Sequence, residues 1–105
     1  MRAKLLSAAL LIAFSCTSSA YAQVLVDASK ITCDQFVHAK IGNPRSVAIW
    51  FSGFYAGKND NAMFDPQKFD ANFSKVKNFC YVEKNFSMPL MQAIDQVLGG
   101  RAKPQ

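Results

Sequence analysis

The chain has 105 residues, enough for one small domain once a leader segment is removed. Lys and Arg number 12 against 7 Asp and Glu, so the net charge is +5 at pH 7. The basic residues are spread one or two at a time along the chain. This spacing excludes the concentrated basic face that is typical of nucleic-acid binding, so no nucleic-acid partner is expected.

The N-terminal segment has the pattern of a secretory signal peptide. Arg2 and Lys4 precede an apolar run over residues 5–14, and small residues then lead to an A-x-A pattern that ends at Ala22. We expect cleavage after Ala22 and export into an oxidising compartment. The apolar run has ten residues, short of the roughly 20 that span a bilayer, so stable membrane insertion is not expected. A retained anchor and lipidation at Cys16 remain open as alternatives.

Two cysteines, Cys33 and Cys80, remain in the expected mature domain, residues 23–105. A domain of 83 residues buries only about 60% of the surface of its unfolded chain, and it is marginally stable without a staple. Exported proteins meet an oxidising environment in which disulfides persist. We therefore predict a Cys33–Cys80 disulfide, and two buried free thiols are the alternative.

The first helix is predicted to begin after Thr32. Gln35 lies three positions later and completes the capping-box pattern. Phe36 and Val37 follow at positions that share one helical face. Gly42 is expected to end the helix, because glycine adopts the left-handed conformation of a C-terminal cap without strain.

The second helix is predicted from Asn43 and Pro44, which supply an N-cap and a first helical residue. Gly57 is expected to end it. Gly53 lies inside the helix and costs about 1 kcal/mol relative to Ala, so we expect it to permit close packing against a neighbour. The helix carries a dense apolar stripe formed by Val47, Trp50, Phe51, Phe54 and Tyr55.

A third helix follows Asp65 and Pro66, which repeat the N-cap and first-residue pattern. A start near Ala71, after a single turn over residues 65–70, remains open as an alternative, and the helix is expected to end near Asn85. One face of this helix is apolar and is formed by Phe69, Phe73, Val76, Phe79 and Cys80.

The fourth helix is predicted to have Ser87 as its N-cap and Pro89 in its first turn, and to end at Gly99 and Gly100. Its apolar side is formed by Leu90, Met91, Ile94, Val97 and Leu98. The four elements together predict an all-α, single-domain bundle of about four helices stapled by one disulfide. The second helix lies inside the covalent loop.

Motifs for catalysis and cofactor binding are missing from the sequence. It contains no CxxC, no c-type haem motif and no glycine-rich phosphate loop. The single histidine, His38, lies four residues after Asp34, and such a pair is typical of a contact on a helix surface. With both cysteines paired, no Cys–His nucleophile remains. We expect neither an enzyme nor a bound cofactor or metal.

The mature domain has an unusual aromatic content, with eight Phe, two Tyr and one Trp. Ile49, Trp50 and Phe51 are consecutive on the predicted second helix and cannot all face one small core. Part of this helix is therefore expected to face a partner, most simply a second copy of the chain. The expected binding surface consists of Val47, Trp50, Phe51, Phe54 and Tyr55.

Two segments resemble a known family. They are "TCDQF", residues 32–36, and the pattern Asn43-Pro44-x-x-Val47-x-x-Trp50. With a signal peptide, a short mature domain and one late cysteine, they are similar to the HdeA/HdeB acid-stress chaperones of bacterial periplasms. The resemblance covers residues 31–98. Family members often place Asn-Pro three residues past the second cysteine, whereas the next proline here is Pro89.

This resemblance implies a folded, dimeric and inactive form at neutral pH in the periplasm. In acid, it implies an opened form that holds denaturing proteins in solution without ATP or a cofactor. Two other classes remain open. A secreted inhibitor or subunit would bind one specific partner through the second helix and stay folded in acid, whereas an enzyme would depend on His38.

Overall fold

The computed structural model describes residues 25–99 of the chain. They form four α-helices, α1 (Cys33–Val37), α2 (Pro44–Lys58), α3 (Pro66–Cys80) and α4 (Leu90–Leu98), with 3-10 turns at Ala28–Lys30 and Glu83–Asn85. No strand occurs in this range, which contains one isolated bridge, between Thr32 and Pro89. The prediction of an all-α domain with four helices is confirmed. The predicted cleavage after Ala22, together with Cys16 and Gly100, lies outside the described residues.

The first three helices begin at the predicted caps. Thr32 Oγ accepts the N–H of Gln35 at 3.2 Å, and Gln35 Oε1 accepts the N–H of Thr32 at 3.1 Å, which completes the capping box. Asn43 and Asp65 each accept a backbone N–H of the turn that follows, at 2.8 and 3.0 Å. These side chains satisfy N–H groups that have no partner within the helix.

The end of α1 differs from the prediction. The helix ends at Val37, before Gly42, because Ala39 takes the left-handed conformation with φ 54°. The N–H of Lys40 then donates to the carbonyl of Gln35 at 2.9 Å, and the N–H of Ala39 donates to that of Phe36. This is a Schellman motif in which an alanine occupies the position usually taken by glycine.

The end of α2 follows the same rule. Asp60 has φ 51°, and the N–H of Asn61 donates to the carbonyl of Ala56 at 2.9 Å. The N–H of Asp60 donates to the carbonyl of Gly57 at 3.2 Å. Gly57 therefore lies inside the helix, and the expectation that it ends α2 is wrong.

Helix α3 runs without a break from Pro66 to Cys80, so the alternative of a beginning near Ala71 does not hold, and the expected end near Asn85 is wrong. The Asp65 cap is sufficient to start the helix. At the other end, Asn85 is buried in a 3-10 turn, and its Nδ2 donates to the carbonyl of Phe79 at 2.9 Å. This bond satisfies a terminal carbonyl of α3.

Helix α4 has no side-chain cap, so the prediction of Ser87 as its N-cap is wrong. The N–H of Leu90 donates to the carbonyl of Ile31 at 2.7 Å. In return, the N–H of Cys33 donates to the carbonyl of Met88 at 2.9 Å. Each helix thus satisfies its first N–H groups with backbone of the other segment, and a side-chain cap is not needed.

The core lies where the four helices meet. Its buried members are Ile31, Cys33, Phe36, Val37, Phe51, Tyr55, Val76, Cys80, Leu90, Ala93 and Ile94. Although α2 has 15 residues, only Phe51 and Tyr55 are buried, whereas the nine residues of α4 bury three. For its length, α2 is therefore weakly anchored to the rest of the domain.

Candidate functional site

The disulfide joins the beginning of α1 to the end of α3. Cys33 and Cys80 have their Cα atoms 4.8 Å apart and are separated by 47 positions. Both residues have 0% exposure, so the bond lies inside the core. The predicted pairing is present, and α2 lies within the covalent loop that it closes.

The predicted binding surface of α2 is divided between two environments. Phe51 and Tyr55 are buried, at 2% and 8% exposure, and belong to the core. Trp50 is 53% exposed, while Val47 and Phe54 are half-buried at the core boundary. In the folded chain, a partner can therefore contact Trp50 directly, and it reaches Phe51 and Tyr55 only after α2 moves.

A series of ring contacts connects the exposed side of α2 to the core. Trp50 stacks on Phe54 with centroids 5.4 Å apart, and Phe54 meets the edge of Tyr55 at 5.4 Å. Phe51 contacts Trp50 at 5.1 Å and Tyr55 at 6.5 Å. A displacement of α2 would move these four rings together, since all lie on this helix, and would expose the buried Phe51 and Tyr55.

An apolar cleft of about 50 Å³ lies between α2 and the other three helices. Its lining includes Phe51 and Tyr55 of α2, Phe69 and Phe73 of α3, and Ile94 of α4. Space that side chains leave unfilled forfeits dispersion contacts with the residues around it. The cleft thus places loose packing at the junction that holds α2 in position.

A charged group lies at the same junction. One carboxylate oxygen of Asp95 on α4 is buried and has no hydrogen-bond partner. Burial raises the pKa of the Tyr55 hydroxyl above its usual range, and the charge of Asp95 raises that pKa further. A buried carboxylate oxygen without a donor costs free energy, so this contact between α2 and α4 is not optimised for stability.

The opposite side of α2 forms a groove that we call the outer groove. Its floor is Gly53 and Gly57, and its walls are Ile49 on the helix and Met63 and Phe64 in the connection to α3. The two wall residues of the connection are 77% and 55% exposed, and Ile49 is 49% exposed. The sequence pattern did not indicate these residues as part of the binding surface. The sequence signal that could have indicated them is the apolar pair Met63 and Phe64, which follows the polar turn at residues 58–61.

Gly53 does not serve the purpose that the sequence suggested. A Cβ atom added at Gly53 would meet no atom within 4 Å, and the same is true at Gly57. The expected close packing of Gly53 against a neighbour therefore does not occur within the described chain. This side of α2 faces away from the core.

Asp34 and His38 form the surface contact that their spacing predicted. His38 Nδ1 lies 2.8 Å from Asp34 Oδ1, and Lys40 Nζ donates to Asp34 Oδ2 at 2.6 Å. The Lys40 hydrogen bond, assisted by His38, lowers the pKa of the Asp34 carboxyl below its usual range. Residues 25–99 contain no cluster of three His, Cys, Asp or Glu side chains suited to a metal ion.

Arg45 connects the beginning of α2 to α3. Its Nη1 lies 2.7 Å from Asp70 Oδ1, and its guanidinium lies over the Phe69 ring, 5.1 Å from the centroid. Within residues 25–99, this is the ion pair that joins α2 to α3. Both side chains are about half exposed, so this pair contributes little to stability.

A disulfide-clamped helical domain with exposed aromatic and apolar side chains has the features of a protein-binding domain. The sequence profile of the HdeA/HdeB family matches residues 5–92, and the chain therefore belongs to this family. Its members are known as acid-stress chaperones of the periplasm. Comparisons with curated proteins and with solved structures gave no match. None of the helices described is both long and apolar enough to cross a membrane.

Proposed function

We propose that this protein is an exported, ATP-independent holdase that is inactive when folded at neutral pH and opens in acid. The opened chain binds denaturing periplasmic proteins through its apolar surface and prevents their aggregation. A signal peptide over residues 1–22, cleaved after Ala22, and a mature domain over residues 23–105 belong to the same proposal. Membership of a family of acid-stress chaperones supports it.

The observation that carries the proposal is the position of the buried rings relative to the disulfide. Phe36, Phe51, Tyr55 and Phe69 are buried, and all four lie between Cys33 and Cys80 in the sequence. When α2 separates from the core, these rings become accessible while the disulfide still joins the ends of the loop. The opened chain therefore presents apolar surface and remains cross-linked.

Acid supplies the force that opens the domain. Residues 23–105 carry ten Lys and Arg against seven Asp and Glu, a net charge of +3. At about pH 2 the carboxylates are protonated, and with His38 and the amino terminus the charge rises to roughly +12. Self-repulsion of this size favours an expanded chain, and it also keeps complexes with client proteins apart from one another.

The disulfide is suited to this use because it resists exchange in acid. Thiolate is the species that attacks a disulfide, and its concentration is negligible at low pH. The tether between Cys33 and Cys80 therefore persists under the conditions that remove carboxylate interactions.

A homodimer at neutral pH completes the proposal. Ile49, Trp50, Met63 and Phe64 expose apolar surface in the folded domain, and a partner subunit that covers them would keep this surface out of water. Dissociation in acid would then add these residues to the rings released from the core.

The test measures light scattering from a periplasmic extract that is acidified to pH 2–3 with and without the mature protein. We expect suppression of aggregation at a molar excess of the protein in acid, and none when the same protein is added to heat-denatured extract at pH 7. Aggregation that is unchanged in acid would contradict the proposal.

The outer groove also favours a second candidate, a secreted module that binds one specific partner. Such a module would keep its near-UV circular dichroism from pH 7 to pH 2, because a specific rigid surface is needed for its function. Loss of that signal in acid separates the holdase from this candidate.

A further inference from the structure

One peptide bond of the chain joins an aspartate to a proline. The sequence has four prolines, and of these only Pro66 follows an aspartate. In acid, the side-chain carboxyl of such an aspartate attacks its own backbone carbonyl carbon and closes a five-membered anhydride ring. The proline nitrogen leaves readily, because it belongs to a tertiary amide and takes up a proton more easily than an ordinary peptide nitrogen. The bond between Asp65 and Pro66 is therefore the most acid-labile peptide bond that the sequence contains.

This bond lies at an exposed junction inside the disulfide loop. Residues 61–65 connect α2 to α3 without regular secondary structure, and both Asp65 and Pro66 are exposed to water. They lie between Cys33 and Cys80 in the sequence. Hydrolysis at this position cuts a covalent loop once, so the disulfide still joins the two fragments.

Hydrogen bonds of the folded domain hold both groups that would react. Asp65 Oδ1 accepts the backbone N–H of Gln67 at 3.0 Å and that of Lys68 at 3.1 Å. The carbonyl oxygen of Asp65 accepts the N–H of Phe69 at 2.9 Å. Attack on this carbonyl would make its carbon tetrahedral and would distort the first turn of α3. The N-cap therefore restrains the reaction as well as starting the helix.

The charged groups near Asp65 do not replace this cap in acid. Asp60 precedes it in the connection, Lys68 and Asp70 follow it on α3, and Arg45 of α2 pairs with Asp70 at 2.7 Å. None of the ion pairs within residues 25–99 includes Asp65. A protonated carboxyl is a poorer acceptor and interacts less with a helix N-terminus, so acid weakens the cap. Opening of the domain then frees both reacting groups.

We infer that the bond between Asp65 and Pro66 is an acid-cleavage site of the opened chain, and that the disulfide retains both fragments after the cut. The inference rests on the acid opening of the proposed function. A carboxyl oxygen of Asp65 bonds to the carbonyl carbon of the same residue, the C–N bond to Pro66 breaks, and the nitrogen leaves with a proton. One water molecule then hydrolyses the anhydride, which restores the side-chain carboxyl and leaves a new C-terminus at Asp65.

The cut converts the loop of the opened chain into two arms that are joined at the disulfide. One arm carries α2 with Phe51 and Tyr55, and the other carries α3 and α4 with Phe69. Both arms keep rings that the folded domain buries, so the product retains apolar surface for clients. Its refolding at neutral pH is weakened, because the chain no longer holds α2 beside α3.

The test follows the oxidised mature protein at pH 2.5 and 37 °C by mass spectrometry over several days, with and without reduction before the measurement. We expect the unreduced protein to gain the mass of one water molecule, and the reduced sample to contain fragments 23–65 and 66–105. The cut at this bond should be at least about tenfold faster than at any other peptide bond. At pH 7 the chain should remain whole.

Two variants remove the chemistry and keep the beginning of α3. Asp65→Ser retains an N-cap side chain without a carboxyl, and Pro66→Ala retains the carboxyl without the proline. Each should slow the cut at least about tenfold. Asp70→Ser, the matched control, removes an exposed carboxylate from the same helix and should leave the rate unchanged. A cut that proceeds at the wild-type rate in Asp65→Ser would overturn the inference.

Failure of the cleavage site and failure of acid opening are distinguishable. Near-UV circular dichroism at pH 2.5 reports whether the domain has opened, and urea added at the same pH opens the chain in either case. A protein that stays folded in acid and is cut only with urea would support the cleavage site and contradict the opening. A chain that is opened under both conditions and stays uncut would contradict the cleavage site alone.

Discussion

Loss of the Cys33–Cys80 tether should remove most of the stability of the folded domain. The closed loop has 47 positions, and the chain-entropy relation for a loop of this length gives a destabilisation of about 4 kcal/mol at 25 °C. Small domains have total stabilities at the low end of roughly 5–15 kcal/mol, so the reduced chain is left close to unfolding at pH 7.

The assay is urea unfolding of the oxidised mature protein and of the same protein after reduction. For a slope of about 1–2 kcal/mol/M, the urea midpoint should fall by about 2–4 M. Reduction keeps both sulfur atoms in the core and therefore isolates the tether. The double variant Cys33→Ala with Cys80→Ala adds the loss of buried volume, since both residues have 0% exposure. A difference of less than about 1 kcal/mol between the oxidised and reduced forms would show that the tether contributes little to stability.

Two further predictions concern α2 and the acid response. Phe51→Ala should lower the free energy of unfolding by about 3–5 kcal/mol because the ring is buried, whereas Trp50→Ala should lower the free energy of unfolding of the monomer by less than about 1 kcal/mol. If urea unfolding gave equal losses of free energy for the two variants, the assignment of Phe51 to the core and Trp50 to the surface would be contradicted. The pKa of Asp34 is lowered by Lys40, so its ionised form stabilises the fold above the unfolded pKa, and that contribution disappears as pH falls through the folded pKa. Asp34→Asn should therefore lower the urea midpoint at pH 7, and the two midpoints should converge in acid. Glu83→Gln, which changes an exposed carboxylate, is the control, and a constant difference between Asp34→Asn and wild type at every pH would count against this reasoning.

Local capping chemistry made the beginnings of three helices predictable. Thr32 with Gln35, Asn43 with Pro44, and Asp65 with Pro66 specify hydrogen bonds within a few residues, and such bonds depend little on the rest of the fold. The disulfide was predictable as well, because the expected mature domain contains two cysteines.

The helix ends were less predictable because they depend on backbone conformation that the sequence signals weakly. Ala39 and Asp60 take the left-handed conformation that glycine usually supplies, so α1 and α2 do not end at Gly42 and Gly57. The beginning of α4 depends on a hydrogen bond to Ile31, about 60 residues away in the sequence, which no local pattern reveals.

The orientation of α2 was the hardest feature to predict. Residues 47–51 and 54–56 are nearly all apolar, so helical periodicity does not distinguish the buried face from the exposed one. The contacts of the other helices select Phe51 and Tyr55 for the core and leave Ile49 and Trp50 outside. The residues that a partner can contact on the folded domain therefore differ from the predicted stripe of α2.

Near-UV circular dichroism of the oxidised mature protein from pH 7 to pH 2 would show whether protons open this domain while the disulfide keeps the chain cross-linked. We expect loss of the aromatic signal in acid, with much of the helical far-UV signal retained and binding of an apolar dye. An aromatic signal at pH 2 equal to that at pH 7, with no dye bound, would contradict it.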